Sequence, residues 1–389
     1  VSERRFEEDG IGPTESLFYT FAEEEPFRLR SGDELGPITL AFEAYGELNA
    51  ARDNAILLFH ALSGSQHAAG HNPCVPGTGG RWTSECQPGW WDGFIGPGKA
   101  VDTRRFFVIC INYLGGCYGS TGPSSIDAKT GRPYGSSFPR ITLSDIVDSQ
   151  VRLLDELGIE RLHAVIGASL GGMMCFSMAT RYPDRVGIVV PIASSLDVTP
   201  LQLIHNFEQI YAIEQDPNFC GGDYYDGKSP DHGLALARMI SHKTFVSLRM
   251  MEDRARMEVA RAEENFPWYP ISSPLESYML HQGTKFVERF DANSYLRITD
   301  AWQQFDLVAE AGGEDLNELF SRCRHQRYLV FSIDSDVCFY PEEQEEMVGV
   351  LKKAGVQSMR ITVHSEKGHD SFLIEPELFT PHLVHTLGD

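Results

Sequence analysis

Four uninterrupted apolar runs constrain this chain more than any other feature: Asn54–His60 (NAILLFH), Phe106–Asn112 (FFVICIN), Leu162–Ile166 and Gly187–Ala193 (GIVVPIA). A strand that is apolar along its whole length must be covered on both faces. That selects a parallel sheet flanked by helices over a half-exposed antiparallel one. Between the second and third runs, Ile146, Val147, Val151, Leu154 and Leu157 recur at helical spacing within Ser144–Leu157, and Leu143–Asp145 offers a cap. Strand, helix and strand in that order give right-handed crossovers and a doubly wound sheet. Residues 16–46 read instead as short antiparallel strands with a turn at Ser31–Asp33. From about Val198 to Leu319 the pattern is mostly helical, and strand alternation resumes at Tyr328. The expected division is an α/β core from residues 1–195 and 321–389 with a helical insertion at 196–320.

The third apolar run leads into Gly167-Ala168-Ser169-Leu170-Gly171, and a helical segment, Gly172–Tyr182, follows. Small residues on both sides of a serine allow a sharp strand-to-helix turn that exposes the hydroxyl above a helix N-terminus. By itself the pentapeptide is compatible with a plain turn closing a buried strand. The C-terminal quarter adds what a serine nucleophile needs. The apolar strand Tyr328–Ile333 ends in Asp334-Ser335-Asp336, and the next, Met359–Val363, runs on to Gly368-His369-Asp370. Serine, acid, histidine is the chain order of the α/β-hydrolases. His369 is the expected base, Asp336 its orienting acid, and Asp334 the competing acid. The N–H groups of Leu170 and Leu62 are the expected oxyanion donors, Leu62 from the loop His60–Gly64 after the third strand. The insertion falls between the nucleophile half and the acid–base half, where it would roof the catalytic end as a lid.

Composition narrows the partners. A formal net charge of −22 disfavours nucleic acid, and no apolar window is long enough to span a membrane. Val1–Arg5 carries no apolar leader and reads as a cytoplasmic start. The eight cysteines show no metal-ligand or disulfide-like spacing, so no metal is expected and the thiols read as reduced. Cys117, in a glycine-rich stretch, lacks a histidine partner, and His60 and His67 read as structural.

Beyond these residues, much of the chain resembles the homoserine O-acetyltransferase family. The matching segments are Leu40–Gly46, His60–Gly64, Gly89–Gly93, Ile95–Lys99, Asn112–Cys117, Gly221–Tyr225, Ala237–Ile240 and Arg289–Tyr295. The resemblance implies an α/β-hydrolase core with a helical lid, a homodimer formed through that lid, and a role in methionine biosynthesis. It also implies ping-pong transfer, with Ser169 taking an acetyl group from the substrate acetyl-CoA and passing it to homoserine. By the same resemblance, Arg238 would bind the acceptor carboxylate as a two-donor fork, and Asp370 would meet its ammonium.

The chain departs from the family pattern at three places. The elbow reads G-A-S-L-G-G where the family has G-G-S-M-G-G. Ser65 ends an H-A-L-S-G-S segment where the family has aspartate or asparagine. Phe245 replaces a tyrosine seven residues after the substrate arginine, removing a hydroxyl near the acceptor. These changes leave three readings open: acyl transfer to a hydroxy amino acid, carboxylester hydrolysis by the same triad, and a non-catalytic binding protein on an inherited frame. Acyl length, acetyl or succinyl, is not set by the sequence.

Overall fold

The apolar runs become neighbours in one eight-stranded sheet. A computed structural model describes residues 10–257 and 268–388; the segment Val1–Arg5, read above as a cytoplasmic start, lies outside them. The strands are β1 (Leu17–Phe21), β2 (Ile38–Tyr45), β3 (Ala55–Phe59), β4 (Phe107–Ile111), β5 (Leu162–Ala168), β6 (Val186–Ile192), β7 (Arg327–Ile333) and β8 (Gln357–Val363). Their order is β1-β2-β4-β3-β5-β6-β7-β8. β2 pairs antiparallel with β1 and β4, and every later pair is parallel. All five residues of β3 are buried, as are six of the seven in β5. The central strands are therefore covered on both faces, as their unbroken hydrophobicity requires. β8 lies at the edge and alternates in exposure.

Helices α1 (Leu143–Glu156) and α2 (Leu170–Arg181) flank the sheet. The start of α1 corrects the sequence reading. Its cap is Thr142, whose hydroxyl accepts from Asp145 N while the Asp145 carboxylate accepts from Thr142 N. That reciprocal pairing satisfies two donors that no residue inside the helix can.

Between β6 and β7 the chain forms α3 (Pro200–Glu214), α4 (Asp231–Phe245), α5 (Leu248–Met257), α6 (Pro274–Arg289), α7 (Ala292–Gln303), α8 (Leu307–Ala311) and α9 (Leu316–Ser321). Thr199 and Ser273 cap α3 and α6 through capping boxes, each with proline at the first helical position. The α4 C-terminus is tied to the core, because Asp370 N donates to Phe245 O at 2.8 Å and Ser247 N to Lys367 O at 3.2 Å. After β7 come α10 (Pro341–Lys353), the short α11 (Ser371–Ile374) and α12 (Pro376–Gly388). Among the described residues no helix is long and apolar enough to cross a membrane.

Candidate active site

The turn after β5 is built by what its glycines exclude. Ser169 adopts φ 56°, ψ −127°, a positive φ that L residues avoid unless packing enforces it. Its N–H donates to Ile192 O on the next strand at 2.9 Å, which fixes the bend. A Cβ at Gly167 would lie 2.2 Å from Gly171 O, and one at Gly171 would lie 2.5 Å from Phe59 O and 2.8 Å from His60 O. The elbow is thus wedged against the end of β3. This brings the helix start beside the His60–Gly64 loop, where Leu62 lies. As the first residue of α2, Leu170 has no acceptor within the helix for its N–H.

The acid and histidine come from loops after β7 and β8. Asp336 Oδ2 and His369 Nδ1 are 2.6 Å apart, both residues only 2% exposed. The other Asp336 oxygen accepts from Cys338 N at 2.7 Å and Phe339 N at 3.0 Å, so the carboxylate is held on both sides. Burial alone would lower the His369 pKa. The Asp336 charge and hydrogen bond, with Asp370 adding to them, hold it above the usual histidine value instead. Phe339 stacks on the ring at 5.5 Å and Phe372 meets it edge-on at 5.3 Å. His369 Nε2 is buried without a hydrogen-bond partner among the described residues. Ser169, 6% exposed, lines the same cavity as His369. Asp334 is spent elsewhere, accepting from His364 Nδ1 at 2.8 Å and Ser365 N at 3.0 Å. The two acids do not share the face of an extended strand, because β7 ends at Ile333 and Asp336 N turns back to its carbonyl.

The cavity measures about 290 Å³ and is walled by both parts of the chain. The core contributes Ala61–Ser65, His67, Trp90, Ser169, His369, Asp370, Phe372 and Leu373; the helices between β6 and β7 contribute Arg238, Phe245 and Arg289. Six of the expected site residues, Leu62, Ser169, Arg238, Phe245, His369 and Asp370, therefore line one space. Asp336 stands behind His369. Burial raises the Asp370 carboxyl above its usual range, against the pull of His369 and Arg238. The Arg238 guanidinium lies over the Phe245 ring at 5.2 Å and the Phe286 ring at 5.0 Å. Ser65 sits under Trp90, whose indole N–H donates to its carbonyl at 2.9 Å.

Other histidines and thiols find ordinary explanations. His60 stacks on Tyr113 at 3.5 Å, and burial drives its pKa down to about 3. His67 has an acid neighbour that its own sequence surroundings did not disclose: Glu43 on β2, 2.8 Å from Nδ1. Cys117 is buried and its thiol is pushed up to about 12. Among the described residues no three histidine, cysteine or acidic side chains gather as a metal site would need.

In the sequence Arg289 figures only as the start of a matching segment. The fold makes it the second arginine of the cavity, donating to Ser63 O and Tyr118 OH, each at 3.2 Å, with Phe286 at 5.0 Å. The available signal was Phe286 three residues before Arg289, one helical turn apart.

Comparison with known proteins gives a consistent picture. Residues 54–376 match the family model of the α/β hydrolase fold. The homoserine O-acetyltransferase of Solidesulfovibrio magneticus is 44% identical over 368 residues, covering 94% of this chain and 90% of that protein. The homoserine O-succinyltransferase of Alkalilimnicola ehrlichii is 43% identical, covering 96% and 94%. Among solved structures, esterase E22 superposes with a TM-score of 0.85 at 27% identity, covering 96% of this chain and 99% of that one.

Proposed function

This chain belongs to the α/β-hydrolase family and to its homoserine O-acyltransferase branch, and from that premise we propose that it moves an acetyl group from acetyl-CoA to the side-chain hydroxyl of L-homoserine, a step of methionine biosynthesis. Ser169 Oγ attacks the thioester carbonyl while His369 Nε2 takes its proton. The oxyanion forms against the Leu62 and Leu170 N–H groups. It collapses with loss of the coenzyme thiol, which leaves with the proton from His369. The homoserine hydroxyl then attacks the Ser169 ester, His369 takes that proton, and Ser169 is restored. Asp336 holds the ring in the tautomer that leaves Nε2 free to accept, and offsets the imidazolium charge in both halves.

The observation that carries this reading is the shared cavity. Arg238 and Asp370, a cation and an acid, stand in one space with Ser169 and His369. A free amino acid needs an acceptor site with both charges; hydrolysis needs neither. We assign Arg238 to the carboxylate and Asp370 to the ammonium. Phe245, between Arg238 and His369, gives an apolar wall where a tyrosine would add a hydroxyl. Residues 196–320 serve as the lid. The exposed apolar side chains Ile204, Phe207 and Tyr211 along one face of α3 are the surface through which two copies pair.

A second reading, short-chain ester hydrolysis by the same triad, draws on the likeness to esterase E22. Mass-spectrometric detection of O-acylhomoserine separates the two, with acetyl-CoA and succinyl-CoA offered in turn and p-nitrophenyl acetate hydrolysis followed in parallel. Acetylhomoserine that disappears in Ser169→Ala supports the transferase. Succinylhomoserine alone corrects the donor. Ester hydrolysis without either product supports the esterase.

A further inference from the structure

Arg238 is an unusual anchor for a carboxylate, because so little of the protein's own polar surface holds it. Among the described residues no ion pair and no hydrogen bond engages its guanidinium. Two rings lie against it, Phe245 from the last turn of its own helix and Phe286 from α6, while the Asp370 carboxyl in the same cavity attracts it without bonding to it. Arg289, also on α6, is a second cation in the same cavity and repels it. Phe286 lies under both guanidinium groups, 5.0 Å from each. The ring is only 1% exposed and packs on Phe290 at 5.1 Å and Tyr295 at 5.4 Å, so it is itself fixed.

A planar guanidinium held by its faces keeps its N–H edge free, and that edge is what a carboxylate binds in two-donor fashion. An aromatic face also offsets part of the cost of burying a cation where no carboxylate bonds to it. A protein carboxylate in the same place would neutralise Arg238 and compete with the ligand. Two rings stabilise the charge and, among the described residues, leave every donor unspent.

We propose that Phe286 is a positioning residue for the acceptor: with Phe245 it clamps Arg238 between ring faces and, by carrying Arg289 on the same ring, holds two like charges in one cavity. This rests on the acceptor role given to Arg238 above. Phe286 does not itself line the cavity that holds Ser169 and His369, so its contribution belongs to acceptor binding and not to acylation of Ser169.

The test uses p-nitrophenyl acetate as donor, with nitrophenol release measured alone, with L-homoserine, and with a neutral alcohol such as n-butanol. Phe286→Leu keeps apolar bulk but removes the ring face, whereas Phe286→Tyr keeps the face. The expected result for Phe286→Leu is a KM for homoserine raised about tenfold, with kcat at saturating homoserine within about threefold of wild type. Release without acceptor and acceleration by butanol should not change, and Phe286→Tyr should restore the homoserine KM. An unchanged homoserine KM in Phe286→Leu overturns the clamp, and so does an equal loss toward homoserine and butanol, which marks a merely structural ring. If Phe286→Leu does not fold, Phe245→Leu, at the half-buried partner ring, must raise the homoserine KM by itself, and its failure to do so overturns the clamp. A wild-type enzyme that ignores homoserine altogether overturns the acceptor reading and the clamp with it.

Discussion

Gly171→Ala tests whether the elbow is wedged against the oxyanion loop. The added Cβ would sit 2.5 Å from Phe59 O and 2.8 Å from His60 O, where ordinary contact begins near 3.4 Å. The shortfalls, 3.4 less 2.5 and 3.4 less 2.8, are 0.9 Å and 0.6 Å, and both obstructing atoms are backbone. Neither can rotate away, so α2 and the His60–Gly64 loop must separate by most of that distance. Leu170 N moves with α2 and Leu62 N with the loop, so the displacement falls between the two oxyanion donors. Misplacement of about 1 Å in such a site costs about 100-fold in rate, and overpacking of this kind destabilises by about 1–3 kcal/mol. The assay is the rate of nitrophenol release from p-nitrophenyl acetate, with a thermal melt alongside. Gly349→Ala is the matched control. It lies in the exposed face of α10 with nothing within 4 Å of the added Cβ. There alanine should stabilise by about 0.5–1 kcal/mol and leave the rate alone. A Gly171→Ala enzyme retaining more than a third of wild-type rate would refute the wedge argument.

Asp336→Asn should lower kcat by about 10³–10⁴-fold with little change in fold. Because the Asp336 charge helps to lift His369 above its usual pKa, and activity needs neutral His369, the acid limb of the pH–rate profile should also move to lower pH. A profile that stays in place removes Asp336 from its role. Arg238→Lys keeps the charge but loses the fork, so the KM for homoserine should rise about tenfold or more while p-nitrophenyl acetate hydrolysis is unaffected; parallel loss of both activities contradicts the assignment. His60 and His242 have pKa values lowered by burial to about 3, so between there and the normal value of 6.5 the unfolded chain binds more protons. Stability from this source is complete above about pH 6.5 and falls as pH drops toward about 3. Denaturant midpoints measured across that range should decline, less steeply in His242→Gln, and an equally steep decline in that variant speaks against the buried neutral histidine.

Much of this architecture is written in local pattern. β3 to β6 are legible because burial on both faces demands unbroken apolar runs, and the elbow because its glycines sit where a Cβ cannot fit. Asp336 and His369 are legible as ends of strands, yet their pairing depends on how two loops pack. Strand geometry cannot separate Asp336 from Asp334, because the strand has ended at Ile333 before either acid. What decides it is tertiary: Asp334 is consumed by His364 and Ser365, while two backbone N–H groups aim Asp336 at His369. Glu43 beside His67 and Phe286 beneath Arg238 were not legible at all. Each pair is far apart in the chain, and nothing in either local sequence announces the partner. The Thr142 cap was missed by one residue because capping depends on backbone angles at the helix boundary.

The most direct test of the central claim is intact-mass and peptide mapping of the enzyme mixed with acetyl-CoA in the absence of acceptor. The account predicts one acetyl group per chain, located on Ser169, absent in Ser169→Ala, and discharged as O-acetylhomoserine when L-homoserine is added. An acetyl group on another residue, or a Ser169 ester lost at the same rate with and without homoserine, would contradict it.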